Sequence, residues 1–247
     1  MDVKQYLDST YLKTPVQAGL TETENREVVR SVISEAIAEN FKLVMIRPDM
    51  VVMAKEMMAE ARSKVSIGTV IDFPLGRRSI EAKLIEAQKA IEDGADDLDF
   101  VLDYEGFKRG NAQSVKEQVL ECTRLGLKHN KIVKWIIEVA ALNDHEIVQL
   151  SVLVKNIVLS NFDESSYSKV FVKSSTGFYK TRDGIPNGAT VSAVKLMLEN
   201  SYPLPVKAAG GVRTAEEAQQ MIALGVKRIG TSSAAAIAGG VSGTSGY

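Results

Sequence analysis

Two lysines carry the chemistry that this sequence offers. In Val170-Phe171-Val172-Lys173-Ser174-Ser175-Thr176-Gly177, three strand-favouring apolar residues lead into a lysine, three hydroxyl residues and a glycine. Pro205-Val206-Lys207-Ala208-Ala209-Gly210-Gly211-Val212-Arg213 offers a second lysine at a strand mouth, before a glycine pair. An amine at the mouth of a strand is placed to add to a carbonyl and form a Schiff base. A second cation beside it would lower its pKa and leave some free amine near neutral pH. Other charges interrupt apolar runs at Asp8, Asp99, Lys134 and Glu138. Side chains alternate along a strand, so Lys173 shares a face with Phe171 and Ser175, Lys134 with Ile136 and Glu138, Asp99 with Val101, and Asp8 with Thr10. Buried charges are costly unless paired. The spacing therefore predicts that Lys134, Lys173 and Lys207 meet Asp8, Asp99 and Glu138 inside one structure, near one opening. Ordinary salt bridges at strand ends would account for any single lysine, but less well for two lysines that each precede a glycine-bearing loop.

The elements that must position these residues are legible as alternating short apolar runs and longer helical patterns, the signature of βαβ units around a parallel sheet. Eight runs can be counted, at Tyr6–Thr10, Leu43–Arg47, Val65–Ile71, Leu98–Leu102, Ile132–Glu138, Val170–Ser174, Val206–Ala209 and Arg228–Thr231. Thr21 with Glu24 and Thr214 with Glu217 form capping-box patterns. The first precedes an apolar face at Val28, Val32, Ile33 and Ala36, the second one at Ala218, Met221 and Ile222. Asn143 and Thr190 are candidate N-caps for two further helices. No Gly-x-Gly-x-x-Gly opens the first unit, which disfavours a dinucleotide-binding open sheet. The 247 residues are close to the ~250 of a single (β/α)8 barrel. The expected fold is such an α/β barrel over residues 1–233, with a short helix and flexible tail over 234–247. In barrels, the loops after strands seven and eight often bind phosphate. Gly210-Gly211 and Gly230-Thr231-Ser232-Ser233 occupy those places, although tight turns alone would explain either loop.

Composition narrows the functional classes. A net charge of −1 offers no global field for nucleic acid or an anionic membrane. No apolar run is long enough to span a bilayer, and none opens the sequence, so a secretory leader is not expected. The single cysteine, Cys122, forms no intrachain disulfide, which fits a reducing cytoplasm. Two histidines, His129 and His145, are too few for a typical zinc site, and no spaced carboxylate set suggests magnesium. The expectation is a chemistry without metal or other cofactor, acting on a small molecule. A homodimer is left open.

Taken together, Asp8-Ser9-Thr10-Tyr11-Leu12-Lys13, Phe73-Pro74-Leu75-Gly76, Gly94 to Asp99, Val133 to Glu138, Val172 to Gly177, Lys207 to Thr214 and Gly230 to Ser233 resemble the deoxyribose-phosphate aldolase family, in order and spacing, over nearly the whole chain. The resemblance implies a class I aldolase on a (β/α)8 barrel that reversibly cleaves 2-deoxy-D-ribose 5-phosphate into acetaldehyde and D-glyceraldehyde 3-phosphate. It places Lys173 on the Schiff-base position, Lys207 on the lysine that perturbs it, and Asp99 on the aspartate of the proton relay. Gly177, Gly210, Gly211, Gly230, Ser232 and Ser233 fall on phosphate-loop positions, and Asp8 and Thr10 on positions that shape the substrate end of the first strand. Some members of the resembled family end in a tyrosine that folds over the site, which assigns Tyr247 a part in proton transfer. Met45, Arg47, Phe178 and a longer Tyr179–Asn187 loop depart from the family pattern. Arg47 is open to two readings, a surface contact with a carboxylate such as Asp72 or a contact with the substrate. The rivals are an isomerase or epimerase of a sugar phosphate, which would use a carboxylate base and no Schiff base, and a sugar-phosphate binding protein without turnover.

Overall fold

The computed structural model describes residues 2–182 and 185–240. Eight strands, β1 (Leu7–Thr10), β2 (Leu43–Ile46), β3 (Ser66–Ile71), β4 (Asp97–Val101), β5 (Ile132–Ile136), β6 (Val170–Lys173), β7 (Val206–Ala209) and β8 (Arg228–Thr231), pair in parallel and close into a barrel in sequence order. The α-helices are α1 (Pro15–Ala18), α2 (Glu22–Glu39), α3 (Val51–Glu60), α4 (Ile80–Asp93), α5 (Tyr104–Lys108), α6 (Ala112–Lys128), α7 (Asp144–Asn161), α8 (Val191–Ser201), α9 (Ala215–Leu224) and, after the last strand, α10 (Ala234–Ala238). Each βα unit buries the apolar stripe of its helix against outward-facing strand residues, so the right-handed crossover repeats until the sheet meets itself.

The expected caps form. The side chains of Thr21, Asn143 and Thr214 each accept the N3 backbone N–H, while Glu24, Glu146 and Glu217 reach back to the cap N–H. Thr190 caps α8 by accepting from Ala193 N. On α2 the buried stripe runs Asn25, Val29, Ile33 and Ala36, with Val28 only half-buried. The polar Asn25 is on the inner face because its side chain accepts a 2.7 Å hydrogen bond from the Tyr11 hydroxyl. α10 packs against β1 and α9. Among the described residues no helix is long and apolar enough to cross a membrane.

Strand alternation sorts side chains into two regions. Outward-facing residues such as Val44, Ile67, Leu98, Val133 and Ile229 join the helices in one continuous core. There Trp135 stacks on Phe100 with ring centroids 5.1 Å apart and donates its indole N–H to Thr123 Oγ1 at 3.0 Å. A separate apolar cluster of Leu12, Leu43, Met45 and Val70, with Phe73 and Phe178 packed on it, occupies the side of β1 to β3. Asp8 of β1 and the charged side chains of β4 to β8 face the same interior, and they build the site.

Candidate active site

At the centre is Asp99, from the middle of β4. Lys134 Nζ donates to its Oδ1 at 2.7 Å, and Lys173 Nζ and Lys207 Nζ both donate to its Oδ2 at 2.9 Å. The register explains the meeting: Asp99 pairs with Lys134 across β4–β5, and Lys173 with Lys207 across β6–β7. Two further charges complete the arrangement. Asp97, on the same face of β4 as Asp99, lies 2.7 Å from Lys134 Nζ. Arg228, the first residue of β8, donates from Nε to Asp8 Oδ1 at 2.7 Å and from a terminal nitrogen to Asp97 Oδ2 at 3.2 Å. Lys207 Nζ also lies 2.5 Å from Asp8 Oδ2, a close ion pair rather than an aligned hydrogen bond.

These contacts trace a closed ring of alternating sign: Asp8, Lys207, Asp99, Lys134, Asp97, Arg228 and back to Asp8. Every member is buried, and in the ring each cation touches two carboxylates. Lys173 stands outside the ring. It hangs on Asp99 alone, at the last position of β6 and so at the mouth of the barrel. Four cations therefore face three aspartates, and Lys173 is the least well compensated.

The titration behaviour follows. Burial depresses Lys173; Asp99 opposes this and the charge of Lys207 adds to it, giving a pKa of about 8. Lys207 goes the other way: burial would lower it, but Asp8 and Asp99 together hold it above the usual lysine value. Asp99, which burial would raise, is held well below the usual carboxylate range by Lys134, Lys173 and Lys207. Asp8 is lowered because Arg228, Lys207 and Lys134 outweigh its burial. One lysine is thus able to lose its proton near neutral pH while its neighbour stays charged.

Glu138 departs from the expected set. β5 ends at Ile136, so the alternation that seemed to carry Glu138 into the charge cluster stops two residues short. The residue has φ 58°, in the left-handed region, and its Oε2 accepts from the hydroxyl and, at 3.2 Å, the backbone N–H of Thr176. It therefore braces the loop after Lys173 rather than pairing with a lysine. Burial pushes its carboxyl up to about 7, against opposing contacts with Thr176 and the charge of Lys173. Its Oε1 and the Ser175 hydroxyl are both buried without an aligned hydrogen-bond partner among the described residues.

The glycine loops lie at the same mouth. Gly210 and Gly211 have φ 82° and 88°, a left-handed turn that other residues enter at a cost. A small polar pocket is lined by Asn187, Gly211, Arg213, Gly230, Thr231 and Ser232. Of the expected phosphate positions, Gly211, Gly230 and Ser232 line this pocket, while Gly210 and Gly177 border two adjoining grooves that also reach Asn187. Gly230 has a second task, since a Cβ there would stand 3.1 Å from Lys207 Cε. Ser233 N–H donates to Thr231 Oγ1 at 3.0 Å, and Thr231 Oγ1 donates to Val212 O at 2.8 Å, so hydroxyl bonds tie the two loops together. Thr10 Oγ1 donates to Asp8 O at 2.8 Å and holds the end of β1. Tyr247 lies outside the described residues.

Sequence reasoning missed Asp97 and Arg228. The signal was present as residues two positions before Asp99 and Gly230 on the same strand faces, but each opens its strand, where a charge reads as a solvated end. The pairing suggested for Arg47 is overturned. Asp72 is taken by the buried Lys83 at 2.7 Å and by Arg78 N at 2.8 Å, whereas Arg47 lies over the Phe73 ring at 5.7 Å. Phe73 in turn meets Phe178 edge to face, which places Arg47 and both rings together near the mouth.

Residues 5–245 match the family described as DeoC/LacD family aldolase. A protein of Thermococcus gammatolerans named deoxyribose-phosphate aldolase is 37% identical over 241 residues, covering 97% of this chain and 96% of its own length. Deoxyribose-phosphate aldolase 1 of Staphylococcus aureus is 35% identical over 248 residues, covering 100% of both chains. Among solved structures, the aldolase QR15 superposes with a TM-score of 0.79 at 32% identity, over 97% of this chain and 95% of that one. A deoxyribose phosphate aldolase of Aeropyrum pernix, described as tetrameric, gives a TM-score of 0.77 at 27% identity over 96% of this chain and 89% of that one.

Proposed function

The chain belongs to the DeoC/LacD family of aldolases, and from that membership we propose that it cleaves 2-deoxy-D-ribose 5-phosphate reversibly into acetaldehyde and D-glyceraldehyde 3-phosphate through a Schiff base on Lys173. The full-length relatives named deoxyribose-phosphate aldolase support the substrate. The observation that carries the nucleophile is the charge count inside the barrel: of the four cations that meet Asp8, Asp97 and Asp99, three each hold two carboxylates and Lys173 holds one.

In the cleavage direction the neutral amine of Lys173 adds to the aldehyde carbon of the open-chain sugar. Loss of water gives an iminium, an electron sink two atoms from the bond to be broken. A base takes the proton of the C3 hydroxyl, the C2–C3 electron pair flows into the iminium, and glyceraldehyde 3-phosphate departs. The enamine left on Lys173 is protonated on carbon, and hydrolysis frees acetaldehyde and the amine. Lys207, held cationic between Asp8 and Asp99, shares Asp99 Oδ2 with Lys173 and is placed to donate a proton there, and Asp99 keeps both amines in place. The role of Tyr247, protonation at the enamine carbon, rests on the family resemblance. The pocket of Asn187, Gly211, Arg213, Gly230 and Ser232 suits the 5-phosphate, whose remote binding energy would orient the reacting carbons.

The test is borohydride reduction in the presence of acetaldehyde, followed by peptide mapping. Wild type is expected to carry one two-carbon adduct on Lys173. Lys173→Ala is expected to remain folded and lose both adduct and turnover. An adduct mapped to Lys207 or Lys134 would refute the assignment, and activity without any adduct would refute the Schiff-base reading.

A further inference from the structure

Two charged residues of the ring, Arg228 and Asp97, lie at the opposite end of their strands from the mouth. They open β8 and β4, whereas Lys173 closes β6. Neither touches Lys173. Their contacts are nevertheless as close as those of the catalytic set, and a buried arginine paired with two carboxylates is a costly feature to retain as packing alone.

We propose that Arg228, with Asp97, is a positioning residue that decides which of the four cations clustered around the three aspartates gives up its proton. The inference rests on Lys173 being the Schiff-base nucleophile. In a medium that screens poorly, charge balance decides which group titrates. With all groups ionised, Lys134, Lys173, Lys207 and Arg228 exceed Asp8, Asp97 and Asp99 by one unit. The group that relieves this excess most cheaply is the one with a single carboxylate, Lys173. Arg228 creates the excess, because a guanidinium does not release its proton. It also occupies Asp8 Oδ1, which leaves Oδ2 to Lys207 and helps to keep that lysine on Asp99 and charged. Asp97 does the same for Lys134, holding it on the Oδ1 side of Asp99 and away from the oxygen that Lys173 uses.

The groups that face Lys173 are Asp99 from β4, Lys134 from β5, Glu138 from the loop after β5, and Lys207 from β7. Those that face Arg228 are Asp8 from β1, Asp97 and Asp99 from β4, and Lys207 from β7. Removing the charge of Arg228 balances the barrel at three against three. Deprotonating Lys173 would then create a net negative charge instead of removing a positive one. An arginine on the far side of the barrel should therefore make the nucleophile more acidic, and its loss should make it less so.

The experiment is the pH dependence of borohydride trapping with acetaldehyde, from pH 6 to 10, read as the rate of adduct formation on the Lys173 peptide. Arg228→Gln is expected to raise the midpoint by about one pH unit, a tenfold fall in the free-amine fraction below it. Trapping at pH 7 would fall roughly tenfold and recover at pH 9 to 10. Arg228→Lys, which keeps the charge, should hold the wild-type midpoint. Asp97→Asn, which adds to the positive excess, should lower the midpoint and carries the test if Arg228→Gln is not recovered folded. A purely structural role predicts slower trapping at every pH with an unmoved midpoint, and that result in Arg228→Gln or Asp97→Asn overturns the inference. If the wild-type adduct maps to another lysine, the fault lies with the nucleophile assignment and not with Arg228.

Discussion

Replacing Lys207 by methionine removes one charge from the barrel and leaves an unbranched side chain to fill the space. Lys207 Nζ and Lys173 Nζ both sit 2.9 Å from the same oxygen of Asp99, so they are no further apart than twice that distance. Two unit charges about 5 Å apart at an effective dielectric of 20 repel by roughly 3 kcal/mol, equivalent to about two pKa units. Lys173, now at about 8, would return towards the value of a free lysine. The free-amine fraction at pH 7 would fall from about one in ten to about one in a thousand, a ~100-fold loss. The stability cost should stay below the ~3–5 kcal/mol of an orphaned buried charge, because Arg228 still faces Asp8, and Lys134 and Lys173 still face Asp99. The assay is single-turnover borohydride trapping with acetaldehyde as a function of pH, beside thermal melting. Trapping should be depressed ~100-fold at pH 7 and approach wild type near pH 10. A loss of equal size at both pH values would refute the electrostatic argument and leave Lys207 with proton transfer only.

Gly230→Ala places a methyl 3.1 Å from Lys207 Cε and 3.2 Å from Ala209 Cβ, so the lysine must shift by a few tenths of an ångström. Turnover should fall about tenfold with a modest stability loss of ~1–3 kcal/mol, and steady-state kinetics with melting curves checks it; unchanged turnover would show that Lys207 tolerates the displacement. Glu138 holds its proton to about 7 in the folded protein, while the unfolded chain releases it near 4.5. Between those values the native state binds more protons, so stability falls as pH rises through the window, by at most roughly 3 kcal/mol. Glu138→Gln should flatten that slope, making the variant gain melting temperature relative to wild type from pH 5 to pH 7, and parallel melting curves would refute the assignment.

The barrel and most of its site were legible in the chain itself. Strand alternation needs only local sequence, and it placed Lys173, Lys134, Asp99 and Asp8 on inward faces without knowledge of any contact. The capping boxes at Thr21 and Thr214 were equally local, because an N-cap is satisfied within three residues. Glu138 shows where alternation fails, since it extrapolates past a strand end and the chain turned left-handed there to reach Thr176. Asp97 and Arg228 were hidden because a charge that opens a strand looks solvated until the barrel closes over it. The register around that barrel joins residues 220 positions apart, as between Asp8 and Arg228, and no local pattern encodes such a distance. The sequence determined that Asp8, Asp99, Lys134 and Lys173 face inward; only closure of the sheet brought in Asp97 and Arg228, made six of the charges a neutral ring and left Lys173 over, because pairing of charges depends on which strands become neighbours.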